Sequence, residues 1–140
     1  MVLPDVNVLV YSHREEMQQH EQCRTWLESV LNGDEAYGIS DLILSGFVRV
    51  VTHPKVFKRP TSVAMAIEFA EQIREQPHCV HVEPSGRHWD IFTKLCLKNN
   101  ARGSLVPDAF LAAMAIESGC EWISRDRDFS RFEGLRWREP

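Results

Sequence analysis

Short strand-like runs alternate with helix-periodic segments along the whole chain, and such a pattern restricts it to α/β folds with a largely parallel sheet. The opening segment Val2-Leu3-Pro4-Asp5-Val6-Asn7-Val8-Leu9-Val10 reads as a strand that ends near Asp5 and turns into a helix. Pro4 has no backbone donor, so it is expected where a ladder ends. From Gln18 to Asn32, Cys23, Trp26, Leu27, Val30 and Leu31 recur at helical spacing, and Asn32-Gly33 closes that helix. Tyr37 to Ser40 is a strand. Asp41 is the expected cap of a helix through Leu42, Ile43, Phe47, Val48 and Val51 that stops before Pro54.

Thr61 or Ser62 caps the next helix, with Val63, Ala66, Ile67, Ala70 and Ile73 on one face. Cys79 to Val82 alternates as a strand. Ser85 starts a helix whose inner face is expected to include Trp89, Phe92, Leu95 and Cys96. After the polar loop Asn99 to Ser104, Pro107-Asp108 opens a helix with Phe110, Leu111, Met114 and Ala115 inward, ended by Gly119. Glu121 to Ser124 and Leu135 to Trp137 are the last strands. No repeat, linker or low-complexity tract divides residues 1–140, so a single domain is expected.

No apolar run approaches the roughly 20 residues of a membrane span. The apolar N-terminus carries Asp5 and no preceding basic region, so it reads as a buried strand and not a signal peptide. Cys23, Cys79, Cys96 and Cys120 form no C-x-x-C pair and sit among apolar residues, which points to reduced thiols and a cytoplasmic setting. The net charge of −4 argues weakly against nucleic acid, because binding by counterion release favours basic chains.

In parallel α/β sheets, ligands sit beyond the carboxyl ends of the strands. Asp5 and Asp126 each fall just after a strand, and Asp108 falls at a helix start on the same edge. Taken singly, each is an ordinary cap or turn residue. Taken together they repel, and a fold tolerates that when a cation fills the gap or protons are shared. Mg²⁺ and Mn²⁺ take oxygen ligands, and phosphodiester hydrolysis by metal-activated water suits such a site.

The same residues carry a family resemblance. Leu3-Pro4-Asp5-Val6-Asn7-Val8-Leu9-Val10 resembles the opening motif of PIN domains, Val106-Pro107-Asp108-Ala109-Phe110-Leu111-Ala112-Ala113 their third acidic motif, and Ile123-Ser124-Arg125-Asp126-Arg127-Asp128-Phe129 their last. Phe47-Val48-Arg49-Val50-Val51-Thr52-His53-Pro54-Lys55-Val56-Phe57 resembles a branch of the VapC-type toxins of bacterial type II toxin–antitoxin systems. The resemblance spans essentially the whole chain. It implies a PIN-like three-layer α/β fold, with a largely parallel sheet of four to five strands between helices. It also implies a Mg²⁺- or Mn²⁺-dependent endoribonuclease, an RNA substrate, a VapB-type antitoxin, a homodimer and no membrane association.

Carried onto this chain, Asp5, Asp108 and Asp126 are the expected catalytic acids and metal ligands. Asp128 is an auxiliary acid, and Asn7 and Ser124 orient ligands or water through hydrogen bonds. Arg49 is expected to pair with an aspartate or a phosphate, or to be a plain surface residue. Lys55, Lys58, Arg59, Arg125 and Arg127, with Arg131 beside them, are candidate RNA contacts or simply a solvated charged face. One position departs: many PIN domains carry a glutamate in the helix after the second strand, and Gly46 stands there.

Three other readings compete. Asp5-Val6-Asn7 faintly matches the D-x-D motif of haloacid-dehalogenase-like phosphatases, but its second acid is Asn and the chain is short for that fold. His78, Cys79, His81 and His88 suggest zinc, but their spacing matches no common ligand pattern, and solvated histidines are the simpler reading. The Gly46 departure leaves a non-catalytic PIN-like module that binds RNA or a partner as the main alternative.

Overall fold

The structure, a computed structural model, describes residues 1–140. The chain runs β1 (Val2–Pro4), α1 (Val6–His13), α2 (His20–Leu31), β2 (Tyr37–Ile39), α3 (Asp41–Val51), α4 (Val63–Arg74), β3 (Cys79–His81), α5 (His88–Asn99), α6 (Leu105–Ser118), β4 (Glu121–Ile123) and β5 (Trp137–Arg138). A 3-10 turn over Arg127–Arg131 lies between the last two strands. No helix is long and apolar enough to cross a membrane.

All strand pairings are parallel. Strand β4 lies between β1 and β5, and β2 pairs with β3. The two ladders lie side by side, with β2 next to β1. No hydrogen-bonded ladder joins β1 to β2, so the expected sheet is present as three strands plus two. Gly38 stands at this seam: a Cβ there would meet Leu3 Cδ1 at 3.4 Å and Val82 Cγ2 at 2.9 Å. Pro4 pairs with Ile123 at the last register position of β1, where its missing donor costs least.

The core gathers around Leu3, Leu9, Ile39, Phe47, Met114, Trp122 and Phe129, all fully buried. Helices α1 to α4 pack on one another (α1 with α2 and α3, α3 with α4), and α5 packs along α6.

Several local expectations shift. Ser40, not Asp41, caps α3 by accepting from Leu42 N–H, while the Asp41 carboxylate pairs with Arg74 at 2.8 Å. Ser62 is the cap of α4. Helix α5 begins at His88 because the Ser85 and Arg87 N–H groups donate instead to the Glu117 carboxylate. Trp89 faces solvent. Helix α6 starts at Leu105, so Pro107 lies inside its first turn, where a helix has no use for that N–H. Its buried face is Ala109, Ala112, Ala113, Met114 and Ala115; Phe110 and Leu111 are only partly covered. The small alanines let α6 approach its neighbours closely. Gly119 ends it at φ 69°, a left-handed backbone that suits glycine.

Candidate active site

Asp5 is placed by β1 and by the start of α1. Its N–H donates to Ile123 O at 2.9 Å, and its Oδ1 accepts from Val6 N–H at 2.7 Å, so the residue also caps the helix. Its other oxygen, Oδ2, accepts from Ser124 Oγ at 2.6 Å and from Asn7 Nδ2 at 3.0 Å. Ser124, fully buried after β4, also accepts from Asn7 Nδ2 at 3.1 Å and from Asp126 N–H at 3.0 Å. Asn7 Oδ1 takes the Arg125 N–H at 3.1 Å. This closed network locks the end of β1 to the turn after β4. It fixes Asp5 and Asp126 in one frame.

Asp126 caps the 3-10 turn, its Oδ1 accepting from Asp128 N–H at 2.9 Å. Asp108, in the first turn of α6, is half-buried. Together with Asp5 these acids line one cavity of about 370 Å³, walled by Tyr11, Met17, Val50, Val56, Phe57 and Phe129. Asp128 lies outside that lining and pairs with Arg131 at 3.6 Å.

Burial and neighbouring charge both act on the Asp5 and Asp108 carboxyls. Burial pushes the Asp5 carboxyl up from 3.8 to about 6; the Ser124 hydroxyl and Val6 N–H oppose the rise, and the charges of Asp108 and Asp126 add to it. Asp108 is raised as well, first by burial, then by Asp126 and Asp128, with Arg131 opposing.

The expected cofactor is a divalent cation. In this conformation no three acid, histidine or cysteine side chains converge closely enough to enclose an ion directly. The donor set nonetheless fits a hard divalent ion. All three groups are carboxylates that line one cavity, the charges of Asp108 and Asp126 both act to raise the Asp5 pKa, and the one basic side chain that offsets this charge is Arg131 acting on Asp108. Coordination through bridging water, which Mg²⁺ favours, needs no closer approach.

At the position of the missing fourth acid, a Cβ on Gly46 would stand 2.9 Å from Val6 Cγ2, so any side chain there requires Val6 to shift. Arg49, one turn on, is exposed and makes no ion pair with an aspartate. It borders a separate apolar cavity with Leu42, Phe92, Pro107 and Phe110.

The candidate basic residues divide into two groups. Arg125 pairs with Glu139 at 2.9 Å and reaches Gln22 at 3.1 Å, and Arg127 pairs with the same Glu139 at 3.2 Å. Both are drawn toward the C-terminus. Lys55, Lys58 and Arg59 are exposed and carry no acidic partner, on a loop whose Val56 and Phe57 line the acid cavity. The histidines of the zinc reading go to three separate backbone carbonyls. His78 bonds Val30 O at 3.3 Å, His81 bonds Arg74 O at 3.4 Å, and His88 bonds Phe110 O at 2.9 Å. His88 is buried and so is not a solvated residue.

Arg14 was not legible in the sequence. It lies just past α1, and its guanidinium stacks 4.2 Å over the Phe57 ring. The only hint in the sequence was a charge directly after an apolar helix.

The fold and its rim define a class: a parallel α/β protein with three carboxylates lining one cavity beyond the ends of β1 and β4. The chain belongs to the PIN domain family, which matches residues 2–135. It is 43% identical over 140 residues to VapC ribonuclease Mb2897 of Mycobacterium bovis, covering all of this chain and 95% of that protein. It is 38% identical over 140 residues to Ribonuclease VapC25 of Mycobacterium tuberculosis, covering all of this chain and 99% of that one. Among solved structures, VapBC2 from Rickettsia felis, bound to a promoter DNA fragment, superposes with a TM-score of 0.72 at 13% identity, over 99% of this chain and 98% of that one. VapC20 of Mycobacterium tuberculosis, described as a sarcin–ricin loop cleaving toxin, gives 0.65 at 16% identity over 97% and 99%.

Proposed function

We propose that this chain is a divalent-metal-dependent endoribonuclease, the toxin of a VapBC-type toxin–antitoxin pair, with Asp5, Asp108 and Asp126 as its catalytic acids. The observation that carries the reading is the burial of Asp5 in a cavity it shares with two other carboxylates from distant parts of the chain. Capping accounts for Asp5 and Asp126 singly, but not for the third carboxylate, Asp108, which makes no hydrogen bond to the protein in the same cavity. The relatives named as VapC ribonucleases supply the substrate class, and the VapBC complexes supply the partner class, a VapB-type antitoxin. A homodimer is part of the same reading. So is a reducing cytoplasm, with which the free state of all four cysteines agrees.

Asp5, Asp108 and Asp126 would hold Mg²⁺ or Mn²⁺. The bound ion would lower the pKa of a water and offset charge on the phosphoryl and leaving oxygens. The protein's own contributions are distinct. Ser124 and Asn7 hold the Asp5 carboxylate in one orientation and favour its ionised form. Asp108 presents a carboxylate with no hydrogen bond to the protein, free to accept from water or bind an ion. Phe129, Phe57 and Val50 give the cavity apolar walls that strengthen charge interactions inside it. Asp128 is an auxiliary acid whose N–H steadies Asp126.

The test is induced expression of wild type and Asp5→Asn in a bacterial host, followed by sequencing of RNA 5′ ends. The expected result is growth arrest with discrete new ends for wild type alone. Arrest that survives Asp5→Asn, or arrest without new ends, overturns the catalytic reading in favour of a binding module.

A further inference from the structure

We propose that Arg14 is a positioning residue that holds the loop between α3 and α4 as the track for the RNA backbone beside the acid cavity. The inference rests on the ribonuclease reading and extends it by saying which basic residues meet the substrate and what keeps them in place.

The charge pattern comes first. Of the basic residues near the acids, Arg125 and Arg127 are both tied to Glu139, and Arg131 faces Asp128. Lys55, Lys58 and Arg59 are exposed, and none belongs to any ion pair of the chain. They flank Val56 and Phe57, which line the acid cavity. A strand crossing that cavity therefore passes unneutralised cations on this side.

The loop itself has no helix or strand, yet it is fastened at several points. Its base is closed by Thr61 N–H donating to Val51 O at 2.8 Å, and its first turn by Lys55 N–H donating to His53 Nδ1 at 3.0 Å. Arg14 makes the remaining ties. Its Nη2 donates to Arg59 O at 2.8 Å and its Nη1 to Thr61 Oγ1 at 3.0 Å, while the guanidinium lies over the buried Phe57 ring. His13 Nε2 reaches the same Thr61 hydroxyl at 3.0 Å.

The Arg14 side chain is only 13% exposed and is forked onto Glu16, so its charge is already met. It does not serve as a phosphate contact. Its effect is to pre-order a loop that would otherwise lose conformational freedom on binding. Lysine cannot replace it, because an ammonium has neither the flat stacking face nor the fork.

The test reads binding of a fluorescein-labelled single-stranded RNA of mixed sequence, roughly 20 nucleotides long, between about 50 and 200 mM KCl. EDTA is present, so the result is independent of whether the protein cleaves. The variant Lys55→Ala/Lys58→Ala/Arg59→Ala no longer neutralises the phosphates that pass this loop, and its salt slope is lower by about 2. Arg14→Lys weakens binding by about three- to tenfold on the wild-type loop and has no further effect in the triple variant. Thr61→Val, which removes the hydroxyl that both Arg14 and His13 reach, acts in the same direction. Arg24→Lys, on the exposed face of α2, binds as wild type does.

Thermal melts accompany each variant, and the coupling between Arg14 and the three basic residues separates positioning from general loss of fold. An unchanged slope in the triple variant overturns the proposal. So does an Arg14→Lys effect that persists in that background. Normal RNA binding by the variants with loss of antitoxin binding also overturns it and makes the loop a protein-docking surface.

Discussion

Ser124 and Asp5, 119 residues apart in sequence, are joined by a hydrogen bond of 2.6 Å that is fully buried on the serine side. The bond is the strongest local support for a negative charge on Asp5, and it opposes the burial that pushes that carboxyl up. Ser124→Ala is expected to raise the Asp5 pKa beyond about 6. The acid limb of the RNA-cleavage profile then moves to higher pH, and activity at neutral pH falls about ten- to hundredfold. A pH–rate profile of the two proteins checks it, and superimposable limbs would refute it.

The raised pKa of Asp5 also makes stability depend on pH. Its folded-state value of about 6 lies above the 3.8 of an ordinary aspartate, so the folded chain binds this proton more tightly than the unfolded one. That contribution is complete below about pH 4 and is lost as pH rises through 6, amounting to about 3 kcal/mol. Thermal melts in EDTA should therefore show wild type losing more stability between pH 4.5 and 7.5 than Asp5→Asn does. Added Mg²⁺ or Mn²⁺ should raise the melting temperature at pH 7.5 far more than at pH 5. Equal metal effects at both pH values would contradict the shared carboxylate site.

Asp108 and Asp126 act on the same balance. Each adds negative charge beside Asp5, and Asp126 also raises Asp108. Asp108→Asn and Asp126→Asn are expected to abolish cleavage, by at least about a hundredfold, while raising the melting temperature in EDTA. A variant that loses both activity and stability would instead mark a structural residue.

Gly46, where the fourth acid is missing, packs against Val6. Alanine there gains about 1 kcal/mol of helix propensity, yet forces its Cβ against Val6 Cγ2 at 2.9 Å. Overpacking of this kind costs about 1–3 kcal/mol, so Gly46→Ala should be net destabilising by about 1 kcal/mol in urea titrations. Val6→Ala should relieve the cost in the double variant. A Gly46→Ala protein more stable than wild type would show that Val6 yields easily.

Much of the architecture was legible from pattern alone, because strand and helix periods are properties of consecutive residues. The parallel α/β class, the end of β1 at Pro4, and the helix stops before Pro54 and at Gly119 all follow from local stereochemistry. Where caps compete over a few residues, the pattern was less decisive: Ser40 took the place expected for Asp41, and Glu117 drew the backbone near Ser85 out of helix.

By itself the sequence determined the fold class and named Asp5, Asp108 and Asp126 as candidate acids, since each lies at or near the end of an element that local patterning marks out. Tertiary structure decided the rest, because those outcomes depend on which atoms meet across long stretches of chain. It tied Asp5 to Ser124 and filled the space beside Gly46 with Val6. It bound Arg125 and Arg127 to Glu139 and left Lys55, Lys58 and Arg59 free on a loop clamped by Arg14. A charge in a sequence has no partner until the fold supplies one, so which basic residues remain available to a substrate is a property of packing.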